Sequence, residues 1–232
     1  MKKNLLAIMV LASLVTTFAG CGNKKTKQTE TAGKNAVQQV QNQRLLIIVD
    51  PQIDFTTGSL AVAKGPESMD RLAVAISNGA WKKYDMIIVT QDCHPANHCS
   101  FIEQGGVFPP HCVAGTEGMN VYPNLAVALD SIDGINVSYL TKGEKADKEE
   151  FSIFQSETNG PKLKEVITSI PFEGVDICGI ASDYCVFETL KDLLSFYPAE
   201  KVRIVDNCIA SVSDDQKLVD FMSENHVVTI QF

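Results

Sequence analysis

The chain has 232 residues with 28 acidic and 20 basic side chains, a formal net charge of −8, and 45% hydrophobic residues. That acidic balance excludes nucleic acid as the expected partner. Its seven cysteines do not have the spacing of a small disulfide-stapled scaffold, and a chain of this length does not need one.

Met1-Lys2-Lys3 is a short basic start, Leu5 to Phe18 is an apolar core too short to span a bilayer, and Ala19-Gly20 puts small residues before Cys21. The stretch resembles a bacterial lipoprotein signal. That resemblance implies cleavage before Cys21, lipidation of Cys21, and export to the periplasmic or cell-surface side of a bacterial membrane, with lipid as the only membrane contact. An ordinary secretory signal with an incidental cysteine is the alternative, and Phe18 stands where Leu is usual. Cleavage would remove Lys2 and Lys3 and no acid, taking the formal net charge from −8 to −10. Residues 21–43 are rich in Lys, Gln, Thr and Asn and read as a solvated tether, which leaves 44–232 as one well-buried domain.

Within that domain, apolar runs alternate with helix-like segments, the pattern of a parallel sheet covered on both faces in an α/β fold. Leu45 to Val49 is the first predicted strand and ends at Asp50. Pro66 to Lys83 is a helix with Met69, Leu72, Ala73 and Ile76 on one stripe. Met86 to Thr90 is the second strand, leading to Asp92, and a long polar loop follows. Ile135 to Leu140 is the third strand, leading to Lys142, and Pro161 to Ile170 a helix. Val175 to Ile180 is the fourth strand; after a sharp turn, Val186, Leu190, Leu194 and Tyr197 mark one face of a helix. Val202 to Val205, a helix from Leu218 to Glu224, and Val227 to Ile230 complete the chain; His226 reads as a structural or surface residue.

The strand ends carry the chemistry. Asp50, Asp92, Lys142 and the turn leading to Cys185 all fall just past the carboxyl ends of parallel strands, the edge at which open α/β sheets bind ligands. In Gly179-Ile180-Ala181-Ser182-Asp183-Tyr184-Cys185-Val186, the cysteine sits at a helix start, where free N–H groups and the helix dipole favour a thiolate and can hold an oxyanion. Taken singly, Cys185 reads equally as a small buried residue and Lys142 as part of a solvated charged run. Their shared position at one edge is what joins them.

A second constellation is Asp92-Cys93-His94-Pro95-Ala96-Asn97-His98, followed by Pro109-Pro110-His111-Cys112. Three of the chain's four histidines lie in this loop, and Asp92, His94, His98 and His111 suit one divalent ion, zinc foremost, or manganese or iron, with positions left open. A closed structural zinc site using Cys93, Cys99 or Cys112 is the competing arrangement. One disulfide among those three cysteines is also compatible with export.

With both constellations in view, the chain resembles the nicotinamidase and pyrazinamidase members of the cysteine hydrolase (isochorismatase-like) superfamily from about Leu45 onward. The resemblance rests on Val49-Asp50-Pro51-Gln52-Ile53-Asp54-Phe55, Gly58-Ser59-Leu60-Ala61-Val62, the two histidine motifs, Lys142-Gly143 and the 179–186 turn. It implies a three-layer α/β/α fold around a six-stranded parallel sheet of order 3-2-1-4-5-6. It implies Asp50, Lys142 and Cys185 as the catalytic triad, Asp92, His94, His98 and His111 as metal ligands, and N–H groups of Ala181 and Cys185 as the oxyanion hole. It also implies a cis peptide between Ile180 and Ala181, and substrate contacts from Phe55, Phe108, Phe151 and Ile180. Phe108, Cys93, Ser182 and Phe151 depart from residues common in the family at those positions, which bears on ring specificity more than on reaction type.

The expected activity is hydrolysis of nicotinamide, and of pyrazinamide, to the acid and ammonia through a cysteine thioester. The partner is a small-molecule amide, and a homo-oligomer is compatible with the chain. The alternatives are a hydrolase of another small amide in the same superfamily, a surface-tethered protein that binds pyridine carboxamides or metal without turnover, and a structural zinc lipoprotein.

Overall fold

The computed structural model describes residues 44–232. The proposed signal and tether, residues 1–43, lie outside them.

Six strands form one parallel sheet in the order β3-β2-β1-β4-β5-β6. They are β1 (Arg44–Val49), β2 (Met86–Asp92), β3 (Asn136–Lys142), β4 (Gly174–Ile180), β5 (Val202–Ala210) and β6 (Val228–Ile230). The helices are α1 (Ile53–Thr56), α2 (Gly65–Ser77), α3 (Pro123–Asp130), α4 (Gly160–Ser169), α5 (Cys185–Leu194) and α6 (Gln216–Glu224). Successive residues of a strand point to opposite faces, so a central strand in a three-layer fold must be apolar throughout. In β1, Leu45, Ile47 and Val49 join Leu163, Val186, Leu190 and Leu218 in one core, while Leu46 and Ile48 join Met69, Leu72, Leu125 and Leu129 in the other. Helices α2 and α3 thus cover one face and α4, α5 and α6 the other.

The strand order and the cis Ile180–Ala181 peptide match the expectations stated for them. Boundaries differ for identifiable reasons. Helix α2 stops at Ser77 instead of running to Lys83, because Gly79 takes a left-handed φ of 91° and the chain continues as a separate 3-10 turn over Ala80–Lys83. Strand β5 continues to Ala210, past the polar Asp206 and Asn207 that ended its apolar run. Helix α3 lies in the segment expected to be a long polar loop, where it buries Leu125, Ala128 and Leu129 at helical spacing, and the single turn α1 follows β1 where no element was expected. His226 is exposed, with a left-handed φ of 57°, just ahead of β6.

The amino-terminal edge of the sheet is tied by one buried carboxylate. Asp176 accepts from Arg44 Nη2 at 2.7 Å, from Arg203 Nε and Nη2 at 2.8 Å each, and from the Tyr84 hydroxyl at 2.6 Å. Burial pushes its pKa up, but these donors outweigh it and hold the carboxyl below its ordinary value. A depressed folded pKa gives stability that is present above the unfolded value and lost as the pH falls through the folded one. Asp176→Asn is therefore expected to cost about 3 kcal/mol near neutrality, by stranding two arginines, with the gap to the parent closing below about pH 4. Urea unfolding at a series of pH values measures it; a penalty independent of pH would contradict the assignment.

Candidate active site

At the carboxyl edge of the sheet, β3, β2, β1 and β4 stand side by side and deliver Lys142, Asp92, Asp50 and the Cys185 turn in that order. Neighbouring strands are about 4.8 Å apart, so a lysine ending β3 needs its whole stem to reach past β2 to β1. Lys142 does so. Its fully buried ammonium lies 2.5 Å from Asp92 Oδ1, 2.9 Å from Asp50 Oδ2, 3.1 Å from the Glu150 carbonyl and 3.6 Å from Cys185 Sγ. Oxygens of Asp50 and Asp92 and the sulfur of Cys185 lie within 4.8 Å of one another.

Local contacts fix each group. Asp50 leaves β1 with a left-handed φ of 45°; its N–H donates to the Thr90 carbonyl at 3.1 Å and its Oδ1 accepts from the Thr90 hydroxyl at 2.7 Å. The buried Gln52 amide donates to the Asp92 carbonyl at 2.8 Å and accepts from the Asp92 N–H at 2.7 Å, carrying the sheet pairing one step beyond β1. Gly143 has a φ of 66°, and a Cβ there would stand 2.4 Å from His94 Cε1, so only glycine lets the chain leave β3 over that imidazole.

The charges are mutually dependent. Burial works against the Lys142 ammonium, yet Asp50 and Asp92 hold its pKa well above the ordinary value. For Asp92, burial is outweighed by Lys142 and His94, and the carboxyl is held far below the usual range. For Asp50, burial dominates and the Asp92 charge adds to it, so its pKa is raised despite Lys142. The thiol of Cys185 departs from expectation. Burial pushes its pKa well up, with Lys142 opposing and the two carboxylates reinforcing, so the resting group is a thiol and not the thiolate that a helix start alone would favour.

The Cys185 turn folds around the Ala181 carbonyl, which accepts from the Tyr184 and Val186 N–H groups at 3.1 and 3.0 Å. Among the described residues, the N–H groups of Ala181 and Cys185 have no backbone acceptor. Both residues line a cleft walled by Phe55, Phe108, Phe151, Tyr184 and Val212. Ile180 does not line this cleft. Its side chain points, like that of Cys178, into the core under α2, as the two-residue period of β4 requires. Leu60, Val62 and Tyr184, which stand in the resemblance motifs without an expected role, also line the cleft, as do Glu149 and Val212; Val212 follows β5 with no local signature.

Beside the cleft, donor atoms of Asp92, His94 and His111 lie within 4.8 Å of one another, and those of His94, His98 and Glu149 form an overlapping group. His94 Nε2 is buried with no hydrogen-bond partner, 3.6 Å from Asp92 Oδ2, which is too long for a hydrogen bond and close to the spacing of two ligands on one ion. Burial lowers the pKa of both His98 and His111, favouring the neutral imidazole that ligation requires. The residues fit a divalent ion. All six described cysteines are free, so neither a disulfide nor a cysteine-ligated closed site forms among Cys93, Cys99 and Cys112.

Residues 44–229 match the family described as Isochorismatase domain. A nicotinamidase/pyrazinamidase of Mycobacterium tuberculosis is 33% identical over 177 residues, covering 74% of this chain and 89% of that protein. Among solved structures, PnC1 of L. infantum in complex with nicotinate is 30% identical with a TM-score of 0.69, over 82% of this chain and 93% of that one. A pyrazinamidase of Pyrococcus horikoshii in complex with zinc is 28% identical with a TM-score of 0.67, over 82% and 99%.

Removing the ammonium while keeping its volume isolates its structural share. Lys142→Met is expected to lose about 3–5 kcal/mol of stability at neutral pH, because two buried carboxylates lose their cation. The loss should shrink on acidification as Asp50 protonates. Denaturant midpoints at neutral and mildly acidic pH check this.

Proposed function

Because the chain belongs to the isochorismatase domain family, we propose that it is a nicotinamidase, an amidohydrolase that converts nicotinamide, and pyrazinamide, to the carboxylic acid and ammonia. The observation that carries this reading is the Cys185 sulfur beside the Asp50 carboxylate and the Lys142 ammonium, where Cys185 lines an aromatic cleft. The aromatic walls suit a flat heterocycle, and the metal-competent group at one side suits a ring nitrogen.

The resting thiol defines the first step. Asp50 takes the proton from Cys185 as the sulfur attacks the carboxamide carbon, so a C–S bond forms and the C=O electrons move to oxygen. A raised carboxylate pKa makes Asp50 a better proton acceptor than an ordinary aspartate. The oxyanion is held by the N–H groups of Ala181 and Cys185, each contributing about 3 kcal/mol in comparable sites. Asp50 returns its proton to the amide nitrogen, the C–N bond breaks, and ammonia leaves a thioester. Water then gives a proton to Asp50 and attacks the thioester; the C–S bond breaks, the acid departs, and Asp50 reprotonates Cys185. Lys142 stays protonated throughout and keeps Asp50 and Asp92 from repelling one another as the sulfur gains charge. Asp92, His94 and His111 would hold a divalent ion, zinc foremost, with His98 packed beside them; when bound it would take the pyridine nitrogen and fix the ring.

Residues 1–21 support export and lipid anchoring through Cys21, which would place the reaction outside the cytoplasm.

Two measurements test these proposals. Cys185→Ala is expected to bind nicotinamide while ammonia release falls by at least about 1,000-fold, since the nucleophile is gone but the cleft is intact; substantial residual turnover would reject the nucleophile. Cys21→Ser is expected to move the protein from the detergent-extracted membrane fraction to the soluble one, and an unchanged distribution would remove the lipid anchor.

A further inference from the structure

The four metal ligands implied by resemblance do not present equivalent atoms. His94 Nδ1 lies 2.9 Å from the Gly143 carbonyl and His111 Nδ1 2.8 Å from the Pro109 carbonyl. A carbonyl only accepts, so both rings carry their hydrogen on Nδ1 and offer an Nε2 lone pair. His98 is held differently. Its Nδ1 accepts the Ser100 N–H at 3.3 Å, with the Ser100 hydroxyl at 2.7 Å, so the hydrogen sits on Nε2 and is donated to the Lys148 carbonyl at 3.0 Å. Both nitrogens of His98 are engaged, and neither has a lone pair to give a cation.

Glu149, the residue after that carbonyl, supplies what His98 lacks. Its side chain lines the cleft, and its carboxylate lies within 4.8 Å of donor atoms of His94 and His98. One oxygen accepts the Glu150 N–H at 3.0 Å; among the described residues the other has no protein donor. Lys148 is not its counter-ion, because that ammonium lies 2.9 Å from Glu150 Oε1 and donates to the Gln155 carbonyl at 2.9 Å. With Asp92, Glu149 would supply two negative charges, which balance one divalent ion.

We propose that Glu149 joins Asp92, His94 and His111 as a direct ligand of the divalent ion. His98 is then a positioning residue that fixes the 148–149 segment through its Nε2 hydrogen. The inference rests on the metal-binding part of the proposed function and is independent of the amide reaction.

Competition of the full-length zinc-loaded protein against a chromophoric chelator tests it. Glu149→Gln is expected to weaken zinc binding roughly 100-fold, and His98→Gln, which keeps an N–H donor near the ring Nε2 position, roughly tenfold or less. The visible absorption of the cobalt-substituted protein should change in Glu149→Gln and keep its shape in His98→Gln. Equal melting temperatures of the chelator-treated proteins establish that the fold is retained. A loss of affinity in Glu149→Gln no larger than that in His98→Gln overturns the proposal. Because zinc affinity is read without any amide present, a protein that binds zinc in this way yet fails to hydrolyse nicotinamide would refute the proposed activity and leave this assignment standing.

Discussion

A single buried ammonium governs the carboxyl edge of this sheet. Asp50 and Asp92 end adjacent strands, and two ionised carboxylates this close and this dry would repel strongly enough for one to take up a proton. Lys142 sits between them, at 2.9 and 2.5 Å, and allows both to be present as acids of different character. One is held far below its ordinary pKa and the other is raised above it. The raised carboxylate is the one suited to move protons, and the depressed one is suited to hold a cation.

The sheet makes this arrangement possible by separating structural from reactive charge. At the amino-terminal edge, both oxygens of Asp176 are engaged by two arginines and a tyrosine, which leaves that carboxylate no free face for a ligand. At the opposite edge, polar atoms are left incompletely satisfied: His94 Nε2 has no partner, and Ala181 and Cys185 have N–H groups without backbone acceptors. Between the two lie only apolar residues of the central strands. The burial that gives the domain its stability also removes water from the groups that act.

Much of the architecture was legible in the chain because β1, β2 and β4 are buried on both faces and must be apolar without interruption. Asp50, Asp92 and Lys142 stood out as charges placed where those runs stop. Strand order and the partnering of residues distant in sequence came from family resemblance, since periodicity is silent on which strands are neighbours. A local motif reports the helix end, which favours a thiolate, but not the depth of burial or the two carboxylates of β1 and β2, which push the Cys185 pKa up. The resemblance names Ile180 as a substrate contact without regard to the strand alternation that turns its side chain into the core, and Glu149 was hidden in a lysine- and glutamate-rich stretch that looks solvated until the fold lays it against the histidines.

The long reach of Lys142 across two strands has a consequence for how the protein comes into being. Its partners arrive from positions 50, 92 and 185, so no contiguous fragment short of most of the domain contains the complete constellation. Contacts this remote in sequence form only after the four central strands have been aligned. Turnover would therefore switch on as one of the last events of maturation, and a nascent or trimmed polypeptide would be chemically inert until the sheet is whole.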